Sequence, residues 1–328
     1  MNNLLENVGV VVIGRNEGER LRMCFESFGG IIGRVVYVDS GSTDGSVGMA
    51  RALGVDVVEL DMRAPFTAAR ARNEGLRRLR ERQPELAYVQ FADGDCEVVA
   101  GWIENAAAWL DANRDVAVVC GRRRERHPRR SIYNRLCDIE WDTPAGEAKA
   151  CGGDALMRIE ALEAVNGYRS DLIAGEEPEL CVRLRAAGWR IWRIDREMTL
   201  HDAAMTRFGQ WWARNLRGGY AYAQGANLHG AGPERYCVHA SRSIWFWALG
   251  VPFAAAGLAF WWQGWAIALL LIYPLQVVRL AVGGGRSAGE NWLRAGFLLL
   301  GKFPEMLGQA RFLRHRYFGG QSRLIEYK

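Results

Sequence analysis

Lysine is nearly missing from this chain: Lys149, Lys302 and Lys328 stand against 39 arginines in 328 residues. The bias matches a GC-rich coding sequence and points to no function. Paired cysteines are missing too. The seven cysteines, at 24, 96, 120, 137, 151, 181 and 237, are odd in number and never spaced CxxC. That argues against a disulfide framework and against a zinc site, and it favours a reducing compartment. The first twenty residues hold no basic segment and no small-residue cleavage site, so no signal peptide is expected. No GxGxxG follows the first apolar run, which speaks against a dinucleotide-dependent dehydrogenase. The basic run from Arg122 to Arg130 has no interleaved aromatics for base stacking, so no nucleic-acid partner is expected. That run reads as a charged, solvated loop, with a phosphate or headgroup contact as the alternative.

What is present, over the first 120 residues, is an alternation of strand and helix patterns. The β-branched run Val8 to Ile13 precedes a helical pattern at Leu21, Cys24, Phe25 and Phe28, which Gly29-Gly30 stops. Strands follow at Arg34 to Val38, Val55 to Leu60, Ala87 to Phe91 and Val116 to Cys120. Between them lie helices starting near Asp44 or Ser46, near Thr67 and near Trp102. This order predicts an α/β fold with a mostly parallel, doubly wound sheet flanked by helices. From Gly121 to Lys149 the pattern loosens. It resumes with helices at about Ile159 to Val165 and Leu180 to Ala187, and a short strand from Trp189 to Ile194.

The segment Phe91-Ala92-Asp93-Gly94-Asp95 closes the fourth strand. Ligands of open α/β sheets bind just beyond the carboxyl ends of strands. Alternate residues of an extended segment share a side, so Asp93 and Asp95 can converge on one ligand, and Gly94 permits close approach. Two hard oxygen donors beside a phosphate suit Mg²⁺ or Mn²⁺. A solvated Asp-Gly turn has the same letters, and only the remaining chain decides between them.

The last ninety residues differ in character. From Ser241 onward ten Lys/Arg face three Asp/Glu. Ile244 to Trp262 carries no charge and would span about 28 Å as a helix, near a bilayer's hydrocarbon thickness. Gln263-Gly264 separates it from a second apolar limb reaching about Val282. Trp261, Trp262 and Trp265 cluster at the turn, with Trp245 and Trp247 at the other end. The expectation is a membrane hairpin over about 244–282 and an interfacial amphipathic tail over 288–328, with a buried core hairpin as the alternative. Domain boundaries follow: 1–235 as the α/β domain, divided at 121/122, and 236–328 as the attachment region.

Taken in order, five segments resemble glycosyltransferase family 2 enzymes of GT-A fold, in their membrane-attached bacterial form. VVVIGRNEGERL resembles the opening strand that sets Asn16 and Glu17 beside a nucleotide. VYVDSGSTDGS resembles the second strand, whose terminal Asp39 faces the base. AARARNEGL resembles the segment that sends an arginine, here Arg72, to the nucleotide. FADGD resembles the metal motif, with Asp93 toward the ribose and Asp95 on the cation. GGDALMRIEAL, with Gly153 and Asp154, and GEEPELCVRLRAAGWRI resemble the acceptor-side half. Its acidic pair usually reads Glu-Asp and here reads Glu176-Glu177, with Glu177 in the base position. His201 falls where some relatives supply a further metal ligand; read alone, it is a packed or solvated histidine.

The resemblance implies inverting, Mn²⁺- or Mg²⁺-dependent transfer of a sugar from a UDP- or GDP-sugar to a hydroxyl. The acceptor would be a glycan or polyprenyl-linked molecule at the cytoplasmic face of the bacterial inner membrane. Two other readings stand beside it. A nucleotidyltransferase shares such a sheet and such carboxylates, and a membrane-attached scaffold of the same fold could have lost catalysis.

Overall fold

The computed structural model describes residues 4–262 and 265–319. The Gln263-Gly264 turn, the side chains of Trp261, Trp262 and Trp265, and the tail beyond residue 319 lie outside the described residues. The chain divides into two compact units, residues 1–129 with 140–204, and residues 130–139 with 205–328.

The first unit is built on a sheet of β1 (Val8–Gly14), β2 (Val35–Asp39), β3 (Asp56–Glu59), β4 (Tyr88–Asp93), β5 (Cys96–Val98), β6 (Val116–Glu125), β7 (Gly146–Glu147), β8 (Ala155–Arg158) and β9 (Arg190–His201). Their order is β3-β2-β1-β4-β8-β6-β9-β5, with β7 on β9. Strands β3, β2, β1 and β4 pair in parallel. The central β1 and β2 are buried on both faces because helices cover both sides, which is why β1 reads as a nearly continuous Val/Ile run rather than an alternation, whereas β3 at the edge is only partly buried. The covering helices are α1 (Glu19–Glu26), α2 (Ser46–Ala52), α3 (Ala68–Arg82), α4 (Trp102–Ala112), α6 (Ile159–Ala164) and α7 (Glu176–Ala186); α5 (Ile132–Trp141) has residues 132–139 in the second unit. Helix α3 starts where the sequence predicts, because the Thr67 hydroxyl accepts the Arg70 N–H at 3.0 Å.

Two expectations need correction. The sheet is mixed: β8 runs antiparallel to both β4 and β6. The chain reaches Asp154 at the carboxyl end of β4, so the strand that follows can only run back down the sheet. The basic run is also no solvated loop. Strand β6 continues to Glu125, and Arg122, Arg123, Arg124 and Arg126 pair with Asp142, Asp154, Glu197 and Glu97.

The second unit is helical: α8 (Phe208–His229), α9 (Val238–Trp245), a π-helical turn at Phe246–Gly250, α10 (Val251–Trp262), α11 (Trp265–Leu270), α12 (Ile272–Val282), α13 (Ala288–Leu300) and α14 (Lys302–Phe318). Helices α8 and α14 approach closely through Gly219 and Gly308. A Cβ at either would lie within about 2 Å of a carbonyl oxygen of the facing helix, at 1.9 and 2.0 Å. Among the described residues no helix is long and apolar enough to cross a membrane. The expected spanning hairpin is therefore not supported. The π turn interrupts its first limb, and its second limb breaks at Leu271, three residues before Pro274.

Gly75 lets α3 settle on the sheet, since a Cβ there would lie 2.3 Å from Val11 Cγ1 and 2.9 Å from Val38 Cγ2. On an exposed helix Gly→Ala gains up to about 1 kcal/mol. Here the overpacking, about 1–3 kcal/mol, opposes and exceeds that gain. Gly75→Ala is thus expected to lower the urea midpoint with an unchanged m value, and a raised midpoint would contradict this packing.

Candidate functional site

The strand register lines up the carboxyl edge of the sheet. Gly14 pairs with Asp39 on one side, and Ile13 pairs with Asp93 on the other. With strands about 4.8 Å apart, Asp39 and Asp93 stand roughly 10 Å from each other across β1, a span suited to a nucleoside. The near end of that edge is preorganised by local hydrogen bonds. Asp39 is buried; it accepts the Tyr37 hydroxyl at 2.9 Å and the Gly41 and Ser42 N–H groups at 2.9 and 2.8 Å. Asn16, in the left-handed region at φ 55°, accepts the Thr43 N–H at 2.7 Å and so ties the β1 loop to the β2 loop. Glu17 pairs with Arg20 at 2.7 Å and lies against Gly94, where a Cβ would meet Glu17 Cγ at 3.2 Å.

The far end holds the charges. Arg72, sent from α3 and only 3% exposed, reaches Asp93 Oδ1 at 2.9 Å and Glu176 Oε1 at 2.8 Å. One guanidinium thus joins the end of β4 to the first turn of α7. Arg123 Nε lies 2.9 Å from Asp154 Oδ2; Asp154 is fully buried and also accepts the Thr199 hydroxyl at 2.9 Å. Arg123 Nη2 is buried with no hydrogen-bond partner among the described residues, and it lies beside Gly152 and Gly153. A Cβ on Gly153 would stand 2.8 Å from Arg72 Nη2 and 3.2 Å from Asp93 Oδ2, so only glycine leaves both side chains in place. Enclosure of the cleft floor pushes the Asp93 carboxyl above its usual range; Arg72 opposes this, and Asp154 and Asp95 add to it.

Donor atoms of Asp93, Asp95, Cys96 and His201 all lie within 4.8 Å of one another. His201 Nε2 is 3.4 Å from Asp95 Oδ1, because β9 pairs with β5 and sets His201 opposite Cys96. Trp141 packs edge-on against His201 with ring centroids 4.8 Å apart, and its face carries Arg123. With Asp93, Asp95, Asp154 and Glu176 ionised against Arg72 and Arg123, the cluster carries two negative charges in excess. That excess, with carboxylate and imidazole donors, fits one divalent cation.

Glu177 turns away from Glu176. Its Oε1 accepts the Cys151 N–H at 2.6 Å and the thiols of Cys151 and Cys181 at 2.9 and 3.1 Å. No hydrogen bond falls on its Oε2 among the described residues. The structure therefore brings together Arg72, Asp93, Asp95, Gly153, Asp154, Glu176 and His201. It places Asn16, Glu17 and Asp39 along the same edge and gives Glu177 a separate setting of thiols. Sequence reasoning missed Trp141 and Cys96, and it took Arg123 only as one of a basic run, with a phosphate contact as the alternative. Alternation along β6 would have flagged Arg123, but bulges near Cys120 and Arg122 break the period.

Residues 9–162 match the family model described as Glycosyl transferase family 2. The succinoglycan biosynthesis protein ExoA of Rhizobium meliloti (strain 1021) is 31% identical over 172 residues, 50% of this chain and 52% of that protein. The chain thus matches about half the length of this curated relative. Among solved structures, the mannosyltransferase PcManGT from Pyrobaculum calidifontis, in complex with GDP-Man and Mn²⁺, superposes with a TM-score of 0.58. It is 19% identical, with 94% of this chain and 87% of that one covered. S. aureus TarS 1-349 superposes with a TM-score of 0.52 at 15% identity, with 97% of each chain covered. These likenesses show a GT-A-like α/β fold with a mixed sheet.

Removing one partner of a buried ion pair costs roughly 3–5 kcal/mol, because the other charge is left without compensation. Asp154→Ala strands Arg123 and frees Thr199, so it is expected to lower stability by about that much. Asp154→Asn, which still accepts from Thr199, should cost less. Chemical denaturation of both variants checks the order, and equal losses would contradict the charge argument.

Proposed function

We propose that this chain, whose residues 9–162 match the Glycosyl transferase family 2 model, transfers a sugar from a nucleotide sugar to a hydroxyl group. The observation that carries this reading is the convergence of Arg72, Asp93, Asp95 and His201 beyond β4, beside a second acidic pair on α7. The donor is a GDP- or UDP-sugar and the acceptor a glycan or lipid-linked hydroxyl. The printed descriptions of the relatives, one a succinoglycan biosynthesis protein and one holding GDP-Man with Mn²⁺, support that choice.

In this mechanism the Asn16–Asp39 edge receives the base and ribose. Asp95 and His201, with Asp93, would hold Mn²⁺ or Mg²⁺, which supplies charge neutralisation for the departing diphosphate. Arg72 keeps Asp93 and Glu176 in register. Arg123 Nη2 offers the donor that the protein leaves unused, suited to a phosphate oxygen or a sugar hydroxyl. Glu177 is the base: its Oε1 is fixed by the Cys151 N–H and two thiols, which orients Oε2 to take the acceptor proton. Attack opposite the leaving group inverts the anomeric centre.

We further propose attachment to the cytoplasmic face of the inner membrane. The second unit supports this through exposed Phe253, Leu275, Val282, Tyr317 and Phe318 together with Arg279, Arg294, Arg311, Arg314 and Arg316. Such a surface suits the headgroup plane of an anionic leaflet.

Three measurements follow. A thermal-shift panel of GDP- and UDP-sugars with Mn²⁺ should show one donor class raising the melting point, about 2.7 kcal/mol of stabilisation at one hundred times Kd. Asp95→Ala should remove the Mn²⁺ dependence of that shift; an unchanged dependence would refute the metal assignment. Glu177→Gln should keep the shift and lose about 10²–10⁴ in turnover. A larger turnover loss in Glu176→Gln with the shift intact would move the base to Glu176. Full-length protein should float with anionic vesicles more than with neutral ones, and less after Phe253→Glu. Absence from anionic vesicles would refute the attachment.

A further inference from the structure

A second set of metal-type donors lies where the α7 acid meets the loop before β8. Cys151 Sγ and Cys181 Sγ are 3.8 Å apart, and Glu177 Oε1 lies 2.9 Å from the first and 3.1 Å from the second. Cys181 sits one helical turn after Glu177 on α7, which brings the two side chains to one face. Cys151 arrives from the loop, and the glycines that follow it keep its backbone adaptable.

These distances have the dimensions of a tetrahedral site. Zinc–sulfur bonds of about 2.3 Å at the tetrahedral angle hold two sulfurs about 3.8 Å apart, the separation the two thiols already have. A carboxylate oxygen at about 2.0–2.2 Å from the same centre falls about 3.5 Å from each sulfur, so Glu177 need withdraw by only roughly half an ångström. The charge argument agrees. Two neutral thiols and one carboxylate carry one negative charge. Two thiolates, one carboxylate and one divalent cation carry the same, so the enclosed pocket changes its contents without changing its charge.

We infer that Cys151, Cys181 and Glu177 form a site for a soft divalent cation of the Zn²⁺ or Cd²⁺ class, separate from the Asp93–Asp95–His201 cluster. On binding, each S–H gives its proton to water, two sulfur–metal bonds and one oxygen–metal bond form, and no electron is transferred. The fourth position falls to water or to Cys120, a buried thiol that interacts electrostatically with both Glu177 and Cys181. Hard cations such as Mg²⁺ and Mn²⁺ prefer oxygen donors and do not compete for two thiolates. If Glu177 is the base, as proposed above, a soft cation here captures its carboxylate and stops transfer while leaving the donor edge intact. The absence of a CxxC spacing hides this pair from the sequence, since the two thiols are brought together only by packing.

The test is titration of chelator-stripped, full-length protein with Cd²⁺ in excess Mg²⁺, following the ultraviolet sulfur-to-cadmium charge-transfer band. One equivalent is expected to saturate the band, and Zn²⁺ to erase it by competition. The near-isosteric Cys151→Ser and Cys181→Ser should each weaken Cd²⁺ affinity at least tenfold, with folding checked by circular dichroism. Cys237→Ser should leave the band as it is. Should Cys181→Ser fail to fold, the loop variant Cys151→Ser carries the test. A missing band, a band unchanged in Cys151→Ser, or a disulfide between 151 and 181 in protein isolated under reducing conditions would overturn the site. The spectroscopic readout needs no turnover, so it stands or falls apart from the transferase reading. Zn²⁺ inhibition relieved at least tenfold in Cys151→Ser would then tie the site to Glu177.

Discussion

The site depends on one buried guanidinium. Arg72 leaves α3 and divides its fork between Asp93 at the end of β4 and Glu176 at the start of α7. Taking three charges out of water is costly, and such a triad adds little net stability compared with a well-packed apolar substitute. What it provides is position. Arginine's planar fork can hold two carboxylates at fixed angles, whereas a lysine ammonium would act as a point charge on one of them. Through this fork the carboxyl edge of the sheet and Glu176 on α7 take up a fixed relation. The Gly153 backbone completes the arrangement, because any side chain there would displace Arg72 or Asp93.

A second ion pair supports the first. Arg123 and Asp154 bind each other behind the cleft floor, and Asp154 also receives the Asp93 N–H at 3.4 Å. Four carboxylates around two guanidinium groups leave the cleft short of two positive charges; the Asp93 carboxyl is raised mainly by burial, with Asp154 and Asp95 adding to it. A divalent cation would relieve that deficit. The carboxylate proposed as the base lies outside this network. Glu177 is set among neutral thiols rather than cations, so its carboxylate is oriented without being neutralised.

Much of this was legible in the letters. The β-branched runs gave the parallel strands because burial on both faces demands continuous apolar side chains, and Thr67 marked the start of α3 through its capping hydroxyl. Asp93 and Asp95 declared themselves by alternation at a strand end. Other features were hidden because they depend on long-range return of the chain. The direction of β8 follows from where the preceding loop arrives, which no local pattern encodes. Arg123 was masked by bulges in β6, and the Cys151–Cys181 pair by thirty residues of separation. The apolar stretch after Ile244 satisfied a length rule for spanning, yet the π turn and Pro274 divide it into shorter helices, and only the backbone reveals that.

The central claim is that this cleft breaks the bond between a sugar and a nucleoside diphosphate. Phosphorus NMR of purified protein with a GDP- or UDP-sugar and Mn²⁺ tests it most directly. The account predicts slow, Mn²⁺-dependent appearance of nucleoside diphosphate, faster when a hydroxyl acceptor is supplied. Release of pyrophosphate, or a spectrum that never changes for any donor sugar, would contradict it.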